Sequence, residues 1–208
     1  MATTTFTGAV RSQGGFTAVS KNSSTGAFTT LSSINSSGIT SFDANTLATE
    51  AGTGITGGTG TIYRSSVQRV GGIITTRILI DLTGLRSTAS GDIIGVNGTS
   101  NVCHLGQITA AQNGTILTGS MECFEAPAGG DPDINVHSAT ESTGVEDGAI
   151  SSLTETLLVN AGDATTGSKV YFTGVPAADE FLYLTLGATT DADYTAGKLF
   201  IELMGYEA

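Results

Sequence analysis

The sequence predicts an all-β protein: an antiparallel β-sandwich or jelly roll preceded by an extended N-terminal arm. Three observations carry this. First, the stretch Gly72–Leu82, GIITTRILIDL, alternates with a period of two. Ile74, Thr76, Ile78, Ile80 and Leu82 form one almost wholly apolar set, and the other set holds both charges, Arg77 and Asp81. That period marks a strand with one buried face. Second, eight or nine similar short runs follow from about residue 60, separated by turn signals, the spacing of a sandwich and not of βαβ units. Third, only 13% of residues are charged, with 3 Pro and no Trp, while Thr, Ser and Gly are abundant. Thr, Val and Ile favour pleated, half-buried surface.

Residues 1–60 read as a Thr/Ser/Gly-rich arm, and residues 61–208 as the sandwich domain. The arm has Arg11, Lys21, Asp43 and Glu50 as its only charged residues, and its apolar residues come singly. Short strands are expected at Thr4–Val10, Phe16–Lys21 and Ala27–Leu31. Gly52–Gly60, GTGITGGTG, reads as a flexible joint. So little apolar area per residue does not offset the entropy of ordering the segment alone. The segment reads either as a disordered tail or, as its isolated aromatics favour, as an arm that docks on a neighbouring subunit, with Phe6, Phe16 and Phe28 as the candidate partner-binding residues.

In the domain, Ile62–Val70 and the Gly72–Leu82 stretch are strands around a Gly71-Gly72 break. Asp92–Val96 is a short apolar strand. Val102–Ala110 and Thr115–Phe124 flank Asn113-Gly114, a strong hairpin signal. In the second of these, Leu117, Gly119, Met121 and Cys123 share one face. Ile134–Val136 is a brief strand in a loop. Ile150–Asn160 is ambiguous: Ile150, Leu153, Leu157 and Leu158 fit helical spacing, while Thr156–Asn160 equally fits a strand. Lys169–Thr173, Phe181–Leu186 and Lys198–Tyr206 complete the set, the last two with alternating leucine and isoleucine faces.

The net charge of −11 opposes binding to phosphate backbones and anionic membranes, so neither nucleic acid nor a membrane is an expected partner. No basic opening followed by an apolar run suggests a secretion signal, and no apolar run nears the ~20 residues of a membrane span. Cys103 and Cys123 read as small buried hydrophobes with free thiols.

The chain does not read as an enzyme. Gly162–Lys169, GDATTGSK, has Gly-Ser-Lys where a phosphate loop needs Gly-Lys-Ser/Thr, and a strand follows where a helix should. His104 adjoins Cys103, but neighbours on a strand point to opposite faces, which argues against a dyad. His137 reads as a surface residue of an acidic loop. Asp131/Asp133, Glu141/Glu146/Asp147 and Asp191/Asp193 read as solvated loop acids. Calcium ligation and paired-acid hydrolysis are the rival uses for them, but EF-hand spacing is absent and aromatics are only 6%. No catalytic residue, metal or cofactor is expected.

Six blocks of the C-terminal part carry a resemblance. They are DLTGLRS (Asp81–Ser87), HLGQITAAQN (His104–Asn113), ECFEAP (Glu122–Pro127), TGVED (Thr143–Asp147), GVPAADE (Gly174–Glu180) and DYTAGKLFIEL (Asp193–Leu203). Residues 62–208 resemble virion structural proteins of marine tailed bacteriophages. The resemblance implies a non-enzymatic particle component, in the manner of β-rich, trimeric capsid decoration or cement proteins on the outer surface of the head. Its implied partners are the major capsid protein and copies of itself in a homotrimer. A tail, neck or head-fibre component is the alternative within the virion. A carbohydrate-binding or adhesin sandwich, with Tyr183 on the face away from the leucines, is the alternative outside it.

Overall fold

In the computed structural model the described residues are 16–21, 28–34, 40–42 and 47–207, the first three stretches as backbone only. The chain divides into two units, Met1–Ala44 and Asn45–Ala208. The smaller contains β1 (Phe16–Lys21), β2 (Phe28–Ile34) and β3 (Thr40–Phe42) in one antiparallel sheet of order β1-β2-β3. The strand expected at Thr4–Val10 lies outside the described residues, as does Phe6.

The larger unit is a sandwich of two antiparallel sheets. After a helical turn, α1 (Thr53–Thr56), come β4 (Ile62–Val70), β5 (Ile73–Asp81), β6 (Arg86–Ser87) and β7 (Gly106–Gln107). A second helical turn, α2 (Ala110–Asn113), precedes β8 (Thr115–Ala128) and β9 (Ile134–Ala139). Then follow β10 (Glu155–Val159), β11 (Lys169–Tyr171), β12 (Phe181–Leu186), β13 (Ala192–Asp193) and β14 (Ala196–Tyr206). One sheet runs β11-β8-β14-β5-β4 and the other β10-β9-β12-β7, with β13-β6 as a small ribbon. Their buried residues form one core cluster. Among the described residues no helix is long and apolar enough to cross a membrane.

The alternation expected for Gly72–Leu82 holds. Ile74, Thr76, Ile78, Ile80 and Leu82 are all buried, while Ile73 and Arg77 are exposed. β14 runs antiparallel to β5 along its length, with Ile201 opposite Ile78 and Leu203 opposite Thr76. Gly71 and Gly72 both have positive φ, the left-handed backbone that a tight turn between β4 and β5 requires.

Several expectations are corrected. The Gly52–Gly60 run is no joint. Ile55 is fully buried, Gly52 N and Gly54 N donate to His104 O and Val102 O, and Val96 N donates to Gly54 O. A side chain at Gly54 would strike Cys103 Sγ and the backbone of residues 101–102, so glycine here serves close packing and not flexibility. The unit boundary therefore lies near residue 44, not 60.

Asn113-Gly114 is not a hairpin turn. The segments before and after it belong to different sheets, β7 to the smaller and β8 to the larger. Asn113 instead ends α2, and Gly114 (φ 70°) redirects the chain where a side chain would meet Tyr206 O. In β8, Gly119, Met121 and Cys123 point inward as expected, but Leu117 is exposed. Met204 pairs with Thr118 and Gly205 with Ile116, so Leu117 is the extra residue of a bulge, and Ile116 takes the core position.

Ile134–Val136 extends to Ala139 as β9, an inner strand in which all six residues are buried. Ile150–Asn160 divides between its two expected states: a 3-10 turn at Ile150–Ser152, then β10. Asp92–Val96 forms only isolated bridges, Asp92 to Ala149, Ile93 to Thr185 and Gly95 to Arg86.

Candidate functional site

The groups that carry chemistry in other proteins are held here by structure. Cys103 is fully buried, and burial pushes its thiol up to about 12, so it stays protonated at neutral pH. His104 is 5% exposed, its ring against Phe181 (5.0 Å between centroids) and Tyr183 (6.4 Å). Its Nδ1 has no partner, and burial holds the imidazole below its ordinary range. His137 is not at the surface, as expected from the acidic loop, but on β9 at 8% exposure, with Nδ1 2.7 Å from Glu155 Oε2 across the β9–β10 pair.

The loop acids are mostly caps and braces. Asp131 Oδ1 accepts from Asp133 N (3.0 Å) and its Oδ2 from Thr190 Oγ1 (2.8 Å). Glu141 accepts from both the amide and the hydroxyl of Thr154, at 2.8 Å each, which lowers its pKa. Glu146 is buried and accepts from Gly98 N, and burial raises it. Asp191 and Asp193 both pair with Arg86, at 2.6 and 2.8 Å. Asp133 is raised by burial and by the charges of Asp131 and Asp163. Among the described residues no three His, Cys, Asp or Glu side chains gather in a set that could hold a metal ion.

Of the predicted partner-binding residues, Phe6 lies outside the described residues. Phe16 and Phe28 open β1 and β2, where Phe16 sits opposite Ile34 and Phe28 opposite Lys21 in the register. Tyr183 does not form an exposed platform. It is fully buried, its hydroxyl donating to Glu141 O (2.7 Å) and accepting from Gly144 N (3.3 Å).

What the fold does leave open is the outer face of the five-stranded sheet. The cross-strand register fixes its rows. Lys169 lies opposite Glu122, Glu122 opposite Phe200, Phe200 opposite Leu79, and Leu79 opposite Arg64. The next row is Tyr171, Ser120, Glu202, Arg77 and Ser66, and Ile73 joins Tyr206 to Val70 at the end of the sheet. Seven of the ten exposed large hydrophobic side chains of the described residues lie here: Ile62, Val70, Ile73, Phe124, Tyr171, Met204 and Tyr206.

Phe124 and Phe200 stack at 5.2 Å with 11° between their planes. Between the apolar positions run ion pairs: Arg77 to Glu202 at 2.8 Å, Lys169 to Glu122, and Lys198 to Glu125 and to Asp81 at 3.4 Å. Lys169 also lies over the Tyr171 ring at 5.4 Å. Burial alone would raise Asp81, but the Thr83 hydroxyl and amide and the Lys198 ammonium outweigh it and hold the carboxyl below its usual range. Four of the chain's eight basic residues, Arg64, Arg77, Lys169 and Lys198, thus stand on one face of an acidic protein. Exposed pairs of this kind add little stability.

Comparison with protein-family models, curated proteins and solved structures found no match to this chain.

The part of this surface legible in the sequence was the charged set of Gly72–Leu82. The rest was missed, although alternation in Ala196–Tyr206 already opposes Phe200, Met204 and Tyr206 to Leu199, Ile201 and Leu203. Phe124 and Tyr171 join them only through strand pairing, for which one sequence holds no signal.

Proposed function

We propose that this chain is a structural component of a phage virion, a decoration or cement protein on the outside of the head, and that it docks through the outer face of its five-stranded sheet. The observation that carries the docking is that face, where an apolar and aromatic set is interleaved with paired charges. Interface cores are enriched in aromatics, Met and Arg, which this face carries in Phe124, Phe200, Tyr171, Tyr206, Met204 and Arg77, and its Lys and Glu side chains stand in pairs. The six sequence blocks that resemble phage virion proteins support the assignment to a particle. The acidic balance suits an outer position, away from packaged DNA. The docking is physical and not catalytic: many copies each add a modest contact, and multivalency makes the coat cohesive.

The test has two parts. Copy number in purified phage particles, relative to the major shell protein, should be comparable to that of the shell protein. A handful of copies would make the chain a tail or neck part. Absence from particles would overturn the reading and favour a carbohydrate-binding module, for which Tyr171, 67% exposed, is the available stacking surface. Second, Phe124→Glu should leave the fold intact and weaken binding to bare heads at least tenfold. Native-strength binding by that variant would exclude this face.

A further inference from the structure

The five-stranded sheet ends in β4, a nine-residue edge with no described strand on its far side. A long edge of free N–H and C=O groups is a template for another strand, and proteins usually blunt it with bulges, proline, brevity or charged side chains. β4 has only the last of these, Arg64 and Arg69, and Arg69 is tied within the chain to Glu207 and to Gln112 O. It has no proline, its register against β5 is continuous over all nine residues, and its ends carry Ile62, 46% exposed, and Val70, 66% exposed. Beside Tyr63–Ser65 lies a recess of about 260 Å³, lined also by Glu50, Ala51 and Thr56, so space remains between the preceding segment and this end of the strand.

We infer that β4 pairs antiparallel with β4 of a second copy about a twofold axis at Ser66, joining two five-stranded sheets into one of ten. The sequence of the strand, IYRSSVQRV, argues for this occupant. Centred on Ser66, it sets Ile62 opposite Val70, Arg64 opposite Gln68, Tyr63 opposite Arg69 and Ser65 opposite Val67. Apolar meets apolar at both ends, and no like charges face each other. This is the one antiparallel register that pairs all nine residues. A shift of one residue in one sense opposes Arg64 to Arg69 of the other copy. A shift in the other sense opposes Ile62 to Arg69 and Arg64 to Val67. Either also moves each apolar set across the sheet.

The twofold register joins the Val70, Ile73 and Tyr206 end of one copy to Ile62 of the other, so the apolar surface becomes continuous across the axis. Self-association of this isologous kind needs no second surface. It also departs from the threefold assembly that the phage resemblance implies, and molar mass separates the two.

The experiment uses the full chain. Light scattering after gel filtration should give a dimer, and Ser66→Lys, which opposes two ammonium groups at the axis, should give a folded monomer. Ser66→Cys gives the second readout. Directly opposite residues of antiparallel strands have Cβ atoms about 4.5–5.5 Å apart, close enough for a bridge after a small shift. The native thiols of Cys103 and Cys123 are buried. Mild oxidation should therefore cross-link Ser66→Cys to a dimer and leave Arg64→Cys and Gln68→Cys mostly uncross-linked. A native monomer or trimer, or cross-linking equally efficient at all three positions, would overturn the inference. Neither result depends on whether the chain is found in phage particles.

Discussion

Asn113 offers the sharpest test of how this fold is held. In the hairpin that Asn-Gly signals, its side chain would stand in solvent, and alanine would cost a few tenths of a kcal/mol. In the structure it is fully buried and braces two elements. Its Oδ1 accepts from Thr109 N at 2.8 Å, and its Nδ2 donates to Thr76 Oγ1, on β5, at 2.8 Å. Asn113→Ala removes both bonds and strands a backbone amide and a hydroxyl away from water. Each such loss costs about 1–3 kcal/mol, so the sum is about 2–6 kcal/mol. In a unit of this size that lowers Tm by roughly 4–24 °C. Urea unfolding is the direct assay: the midpoint should fall while the slope stays constant. Thr76→Val should cost about 1–2 kcal/mol, because it leaves Nδ2 unpaired. The double variant should cost less than the two singles added, by about 0.5 kcal/mol or more. If Asn113→Ala stays within about 0.5 kcal/mol of the native chain, the brace is not real and the hairpin reading returns.

Three further outcomes follow from the same geometry. The buried His104 binds its proton more weakly folded than unfolded, so its contribution to stability is full above about pH 6.5 and is lost as pH falls below it; urea midpoints between pH 8 and 5 should decline, and His104→Leu should flatten that decline. The bulge in β8 makes Leu117→Thr nearly neutral, while Met121→Ala, at an inward position of the same strand, should cost about 2–5 kcal/mol by thermal unfolding. Truncation should be tolerated at residue 44 and not at residue 60, because the second cut removes buried Leu47 and Ile55 and the Gly52 and Gly54 hydrogen bonds; circular dichroism should show a cooperative transition for 45–208 and a melting point lower by 10 °C or more for 61–208.

The sequence shows its fold class wherever a strand has one wet face, and hides it elsewhere. β5 and β14 alternate cleanly because water touches one side of each, so their period of two is written in Ile, Thr and Leu. β9 is different: Asn135, His137 and Ser138 are all buried, and in a run as polar as INVHSA only Ile134–Val136 reads as a strand. Its burial comes from partners distant in sequence, β12 on one side and β10 on the other. Gly52–Gly60 has the composition of a joint for the complementary reason. Glycine signals both freedom and close approach, and only the neighbouring backbone of residues 101–104 decides which. Likewise, Asn-Gly gives the same local signal at a hairpin and at the end of a helical turn. Which one forms depended on whether β7 and β8 share a sheet.

The two sheets of the sandwich end up unequal, and the candidate site follows from that inequality. In the smaller sheet the inner strands β9 and β12 are closed on both faces. Leu182, Leu184 and Leu186 lie with Ile134 and Val136 on one side. Tyr183, Thr185 and His137 occupy the other, where the loop carrying Glu141 and Gly144 binds the Tyr183 hydroxyl. That loop consumes the polar surface a binding site there would have needed. The larger sheet has no equivalent cover among the described residues, so Phe124, Phe200, Met204 and Tyr206 keep one side in water. A sheet face of that composition, left open while its opposite number is sealed, is costly to maintain without a partner. The charges set between its aromatics limit what that partner can be. A purely apolar surface would leave Arg77 and Glu202 desolvated as one pair and Lys169 and Glu122 as another. A partner of the kind proposed above would therefore bring polar groups into register with them, as a folded protein surface does and a lipid surface does not.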